Sequence, residues 1–184
     1  MKTVSYIVCM LICTFVIQTR VVAQATDADS VPATLTKIKD LLAQHYKPES
    51  PPSVRAIFVP IQFDSCELRW KLVSVSGPFR YTTQTSVNLA DFDPTPPQVI
   101  MVKMPRTDRW AFELRTLNDE RKVKVEWLVM EGSRVKDRRE YLGSRTSFGA
   151  DSQTLTQDIA DELVSVIKQC AQRRAQQNAG REPR

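Results

Sequence analysis

From Ala56 to about Phe148, apolar and polar residues alternate with a period of two; before and after that stretch they recur at helical spacing. The strongest run sets Cys66, Leu68, Trp70 and Leu72 against Glu67, Arg69 and Lys71. Successive side chains of a strand point to opposite faces, so this run predicts a half-buried strand. The same alternation predicts strands through Tyr81–Leu89, Trp110–Leu114 and Val123–Val129, with two more at Ile57–Phe63 and Val99–Lys103. Pro60 marks the Ile57 strand as an edge or a bulge, because proline donates no ladder hydrogen bond. Gly77-Pro78, Asp91 to Pro97 and Asn118-Asp119 are turn signals. Arg134 to Arg145 is charged throughout and predicts a hairpin tip, followed by a short last strand at Thr146–Phe148.

Two amphipathic segments flank the strands. Over Ala33–Tyr46, Leu35, Ile38 and Leu42 recur at helical spacing, with Leu41 and Tyr46 alongside and Lys37, Lys39 and Asp40 opposite. Ser30 suits the cap and Pro32 the first turn. Pro48, Pro51 and Pro52 end the helix, so Lys47–Ser53 reads as a stiff linker. At the other end, Leu155, Ile159, Leu163, Ile167 and Cys170 form an apolar stripe, and Thr154 with Gln157 fits a capping box. Acidic residues lie early in this helix, and Lys168, Arg173 and Arg174 lie late, complementing its dipole. Strands in succession, without helices between them, exclude a parallel sheet. The fold class is α+β: a strongly bent antiparallel sheet or small barrel of six to seven strands capped by the C-terminal helix. That order is pleckstrin-homology-like, with an extra N-terminal helix; a cystatin-like helix wrapped by a sheet is the alternative.

Composition divides the 184 residues. Lys2, an uncharged apolar run from Val4 to Ile17, and Ala23-Gln24-Ala25 have the layout of a signal peptide over residues 1–25. Fourteen helical residues rise only about 21 Å, short of a ~30 Å hydrocarbon core. The remainder divides into an N-terminal helix and linker (26–53), one α+β domain (54–174) and a polar tail expected to be disordered (175–184). Loss of Lys2 and Arg20 changes 26 basic residues to 24, against 21 acidic, or +3. Of four cysteines, Cys66 and Cys170 remain, too few with one His for a structural zinc site. In an oxidising compartment they read as one disulfide; two buried free thiols are the alternative.

No catalytic constellation stands out, and no cofactor or metal is expected. His45, the single His, lies at a helix end before the proline linker. Asp91 and Asp93 have the residue types of a hydrolase pair, but two carboxylates beside Pro94 are also ordinary turn chemistry. Trp70, Trp110 and Trp127 are candidates for a carbohydrate platform, yet each falls on an apolar phase and reads as core. The clearest binding candidates are Arg134, Lys136, Arg138, Arg139 and Tyr141, since clustered cations and an aromatic ring hold anions. The solvated-hairpin alternative is supported by Asp137 and Glu140 among them. The expected partner is an envelope protein or an anionic surface, with nucleic acid disfavoured by compartment.

Phe63-Asp64-Ser65-Cys66-Glu67-Leu68-Arg69-Trp70, the segment Asn88-Leu89-Ala90-Asp91-Phe92-Asp93-Pro94 and the closing helix with Cys170 resemble small uncharacterised domains of secreted bacterial proteins. The resemblance covers Ile57 to Cys170. It implies a strand-rich domain in which a first-strand Cys pairs with a last-helix Cys, and it carries no activity. The basic stretch from Gly132 to Arg145 departs from it.

Overall fold

The computed structural model describes residues 30–46, 55–103 and 109–180. The signal-peptide segment and the Lys47–Ser53 linker lie outside the described residues. Among the described residues helix α1 (Ser30–His45) comes first. Eight strands follow: β1 (Arg55–Gln62), β2 (Glu67–Ser76), β3 (Phe79–Asn88), β4 (Ile100–Val102), β5 (Arg109–Arg115), β6 (Val123–Glu131), β7 (Arg134–Gly143) and β8 (Arg145–Ala150). Helix α2 (Gln153–Ala179) closes the chain. The α+β class and antiparallel pairing agree with the sequence pattern. The single bent sheet or barrel does not: the strands form two open sheets, β1-β2-β3-β6-β7 and β4-β5-β8. After β3 the chain leaves the first sheet, builds β4 and β5 elsewhere, and returns, so β6 rather than β4 lies beside β3. The sheet order is therefore no simple meander, and eight strands replace the expected six to seven.

Local chemistry accounts for the turns. Gly77 and Gly132 have φ of 58° and 59° in the β2–β3 and β6–β7 turns, a region open to glycine at no steric cost. Asn118 and Asp119 take φ of 56° and 54°, the left-handed conformation that short Asx side chains tolerate best. Pro60 sits on edge strand β1 beside a register shift, as its missing N–H requires. α2 is capped by Ser152, whose hydroxyl accepts from Leu155 N at 3.4 Å, rather than by Thr154. α2 also runs further than the sequence pattern predicts, making Gln176–Ala179 helical rather than disordered.

The core lies where one half of the five-stranded sheet meets α2 and β5. Phe58, Leu68, Trp70, Val87, Val123 and Val125 face inward from the sheet. Phe112 and Leu114 come from β5, Phe148 from β8, and Ile159, Leu163, Val166 and Ile167 from α2. Trp70 is central, with its ring centroid 5.1 Å from Phe148 and 6.3 Å from Phe63. α1 is part of the same core, and Val31, Leu35, Ile38 and Leu42 are at most 1% exposed. Lys37 of α1 bonds Glu162 of α2 across the helix pair, and that hydrogen bond holds the lysine's pKa above its usual value.

Cys66 and Cys170 form a disulfide, with Cα atoms 5.7 Å apart and a sequence separation of 104. One turn further along α2, Arg174 Nη1 lies 2.6 Å from Asp91 Oδ1. The covalent link and the ion pair hold the same stretch of helix against the ends of β2 and β3. Among the described residues no helix is long and apolar enough to cross a membrane.

Candidate functional site

Arg134, Lys136, Arg138, Arg139 and Tyr141 do not sit on a hairpin tip. They lie along β7, a ten-residue edge strand paired with β6 over its length. The tip is Gly132-Ser133. Strand alternation then divides the candidates between two faces. Trp127 is opposite Arg139 and Val125 opposite Tyr141, which puts Arg139 and Tyr141 on the inner face. Leu128 is opposite Arg138, on the outer face. Lys136 falls at a bulge between the Met130 and Val129 pairings. The structure therefore brings Arg139 and Tyr141 to one side, and sends Arg138 to the other.

The cations have acidic neighbours. Lys136 Nζ lies 2.6 Å from Glu131 Oε2, Arg138 Nη2 3.3 Å from Glu140 Oε1, and Arg139 Nη2 2.8 Å from Asp137 Oδ2. All three pairs are solvent-exposed and individually weak, so an incoming anion displaces them at little cost. From Val123 to Gly143 five basic residues (Lys124, Arg134, Lys136, Arg138, Arg139) face four acidic ones (Glu126, Glu131, Asp137, Glu140), a net of +1. Charge on this strand has a second physical role: an edge strand presents unpaired backbone groups, and charged side chains discourage edge-to-edge aggregation.

Tryptophan behaves differently from the expectation. Trp70 is core, but Trp110 and Trp127 are half-buried and lie outside the core cluster, and the three do not form one platform. Trp127 instead meets Tyr81, with centroids 6.4 Å apart, and Arg139, whose guanidinium carbon is 5.3 Å from its ring centre. Phe79 extends this aromatic strip along β3.

The two catalytic candidates are committed to structural work. Asp91 is bound to Arg174 and lies 3.5 Å from Lys122. Asp93 accepts from Thr95 N at 2.8 Å, and hydrogen bonding from the Thr95 side chain, then from its backbone, holds the carboxyl below the usual carboxylate range. His45 Nδ1 is 3.7 Å from Asp151 Oδ1 at the protein surface, with Cys66 and Cys170 bonded to each other and not to it. No group of three or more metal-binding side chains occurs among the described residues.

Sequence reasoning missed a cavity of about 590 Å³ on the outside of the three-stranded sheet. Its lining includes Pro96, Pro97, Ile100, Arg109, Glu113 and Ser147. Glu113 is bracketed by Arg115 at 2.9 Å and Arg145 at 3.6 Å. Arg109 is only 3% exposed. The sequence signal is indirect: Phe112 and Leu114 face the core, which turns Arg109, Ala111 and Glu113 to the other side of β5. Gly149 leaves the room this requires. A Cβ there would stand 2.7 Å from the Trp110 carbonyl oxygen and 3.5 Å from Arg109 Nη1. Since backbone cannot yield as a side-chain tip does, Gly149→Ala should destabilise the protein by roughly 1–3 kcal/mol. An unchanged urea midpoint would show that β8 shifts freely.

Comparison with protein-family models, with curated proteins and with solved structures finds no match.

Proposed function

We propose that the protein is a non-catalytic secreted or periplasmic binding domain whose ligand is anionic. The observation that carries this reading is the collection of cations at one end of the five-stranded sheet. Arg80 begins β3, and Arg134, Lys136 and Arg138 begin β7, beside the two glycine turns. Glu131 and Glu140 engage Lys136 and Arg138 only through exposed pairs. The disulfide supports an oxidising compartment, as do the signal-peptide layout of residues 1–25 and the resemblance to secreted bacterial domains. Chain order, with strands first and a closing helix last, supports the pleckstrin-homology-like comparison; the strand order β1-β2-β3-β6-β7 counts against it. The carboxylate-hydrolase alternative finds no support, because Asp91 and Asp93 are already held by Arg174 and by Thr95.

The oxidised protein should bind immobilised heparin at low ionic strength and elute as salt rises, since exposed charges are screened. Arg80→Ala combined with Arg138→Ala, which share the outer face, should weaken that binding roughly thirtyfold, at about 1 kcal/mol per cation near an anionic surface. Elution of the double variant at the wild-type salt concentration would remove these two arginines from the binding surface.

A further inference from the structure

We propose that the outer face of the five-stranded sheet, at the end with the glycine turns, docks on an anionic lipid bilayer. This rests on the anionic-ligand reading above and specifies the ligand. Cross-strand register builds the face. One row runs Ile57, Val73, Thr82, Leu128, Arg138, and the adjacent row Val75, Arg80, Met130, Val135. Both rows lie on the face opposite Phe58, Trp70 and Val125, and so point away from the core. Ile57 is 61% exposed, Val75 52% and Val135 55%, while Val73, Leu128 and Met130 are half-buried beside them. Six apolar side chains thus form two groups, Ile57, Val73 and Val75 on β1 and β2 and Leu128, Met130 and Val135 on β6 and β7, with Thr82 and Arg80 of β3 between them. The charged side chains described in these two rows are Arg80 and Arg138. The next row adds Val59, Lys71, Gln84, Glu126 and Glu140, and beyond it lie Glu67, Arg69, Lys124 and Leu142.

Aliphatic side chains grouped with cations separate the occupants. A soluble polyanion neutralises Arg80 and Arg138 but leaves the apolar groups on either side of them in water, where grouped exposed apolar side chains mark an unfilled contact. A second copy stacked on the same face would set guanidinium groups against each other, with no carboxylate in either row to receive them. An anionic bilayer takes both chemistries: headgroups meet the arginines, and the aliphatic tips enter the boundary between headgroups and acyl chains.

The test uses the oxidised full chain, with Val75→Ser and Val135→Ser together, which leaves every charge in place. Co-sedimentation with vesicles of phosphatidylcholine containing phosphatidylglycerol should show binding that pure phosphatidylcholine vesicles do not. The double serine variant should bind the anionic vesicles roughly tenfold more weakly, keep its heparin affinity and keep its melting temperature. Heparin binding without vesicle binding would overturn the bilayer and leave the anionic-ligand reading standing; binding to neither would overturn both. Vesicle binding unchanged by the serines would show that lipid meets some other surface. Self-association that the serines abolish, without vesicle binding, would assign the face to a second copy.

Discussion

Replacing Cys66 and Cys170 with alanine should cost the protein about 3–5 kcal/mol and lower its melting temperature by roughly 10–20 °C. The chain-entropy argument gives about 4.7 kcal/mol for a closed loop of about 100 residues, and the separation here is 104. Almost the whole described β-structure lies inside that loop, so its opening releases conformations of the unfolded chain from β2 to the middle of α2. Native-state packing adds to the loss, since Cys170 is 1% exposed and packs in the core. The Asp91–Arg174 pair one turn further on does not replace the bond, because an ion pair at the protein surface contributes far less than a covalent closure. Urea unfolding of the oxidised wild type and the double alanine variant measures the difference. A rise in the urea dependence of the double variant is expected as well, because an unfolded chain without the link exposes more surface. A loss below about 1 kcal/mol would show that the loop is already constrained when unfolded.

The disulfide was legible because two independent periodicities pointed to it. Cys66 keeps phase with Leu68 and Trp70, and Cys170 keeps phase with Leu163 and Ile167, so each sulfur was placed on a face that turns inward. What alternation reports, however, is burial rather than strand formation. β7 shows this. Arg134–Gly143 forms ten residues of strand because β6 offers backbone partners, yet as an edge it is mostly exposed and carries no apolar period. The same limit explains Trp127. Its phase matches Val123 and Val125, which are buried, yet it is half-buried beside Tyr81 and Arg139, and a sequence pattern identifies a face without saying what covers it. The assignment of β4, β5 and β8 to a second sheet is a long-range choice, and exposed Gln98, Ile100 and Met101 around a half-buried Val99 say nothing about which strand will pair with them. The cavity beside Arg109 has the same origin, since it depends on where the proline-rich segment from Asp93 to Gln98 runs relative to a strand met only later in the chain.

Leu35→Ala should destabilise the whole domain by about 2–5 kcal/mol, the usual cost of emptying a fully buried leucine site. The apolar stripe of an amphipathic N-terminal helix can pack on its own domain or stay exposed for a partner. Val31, Leu35, Ile38 and Leu42 now lie in one cluster with Ile159, Leu163 and Ile167 of α2 and with Phe58 of β1. An isolated helix of sixteen residues is marginal in water, so α1 owes its existence to that contact rather than to propensity. The polar link between the helices is a poor substitute, because Lys37 is 63% exposed and its pair with Glu162 is screened by solvent. Lys37→Ala should therefore leave the urea midpoint nearly unchanged, and the contrast between the two variants separates apolar docking from charge pairing. The loss in Leu35→Ala should appear as a shift of one cooperative transition, because α1 shares its buried neighbours with α2 and the sheet. Two transitions, with the wild-type midpoint retained in the second, would mean that α1 unfolds on its own and that its stripe is available to another protein.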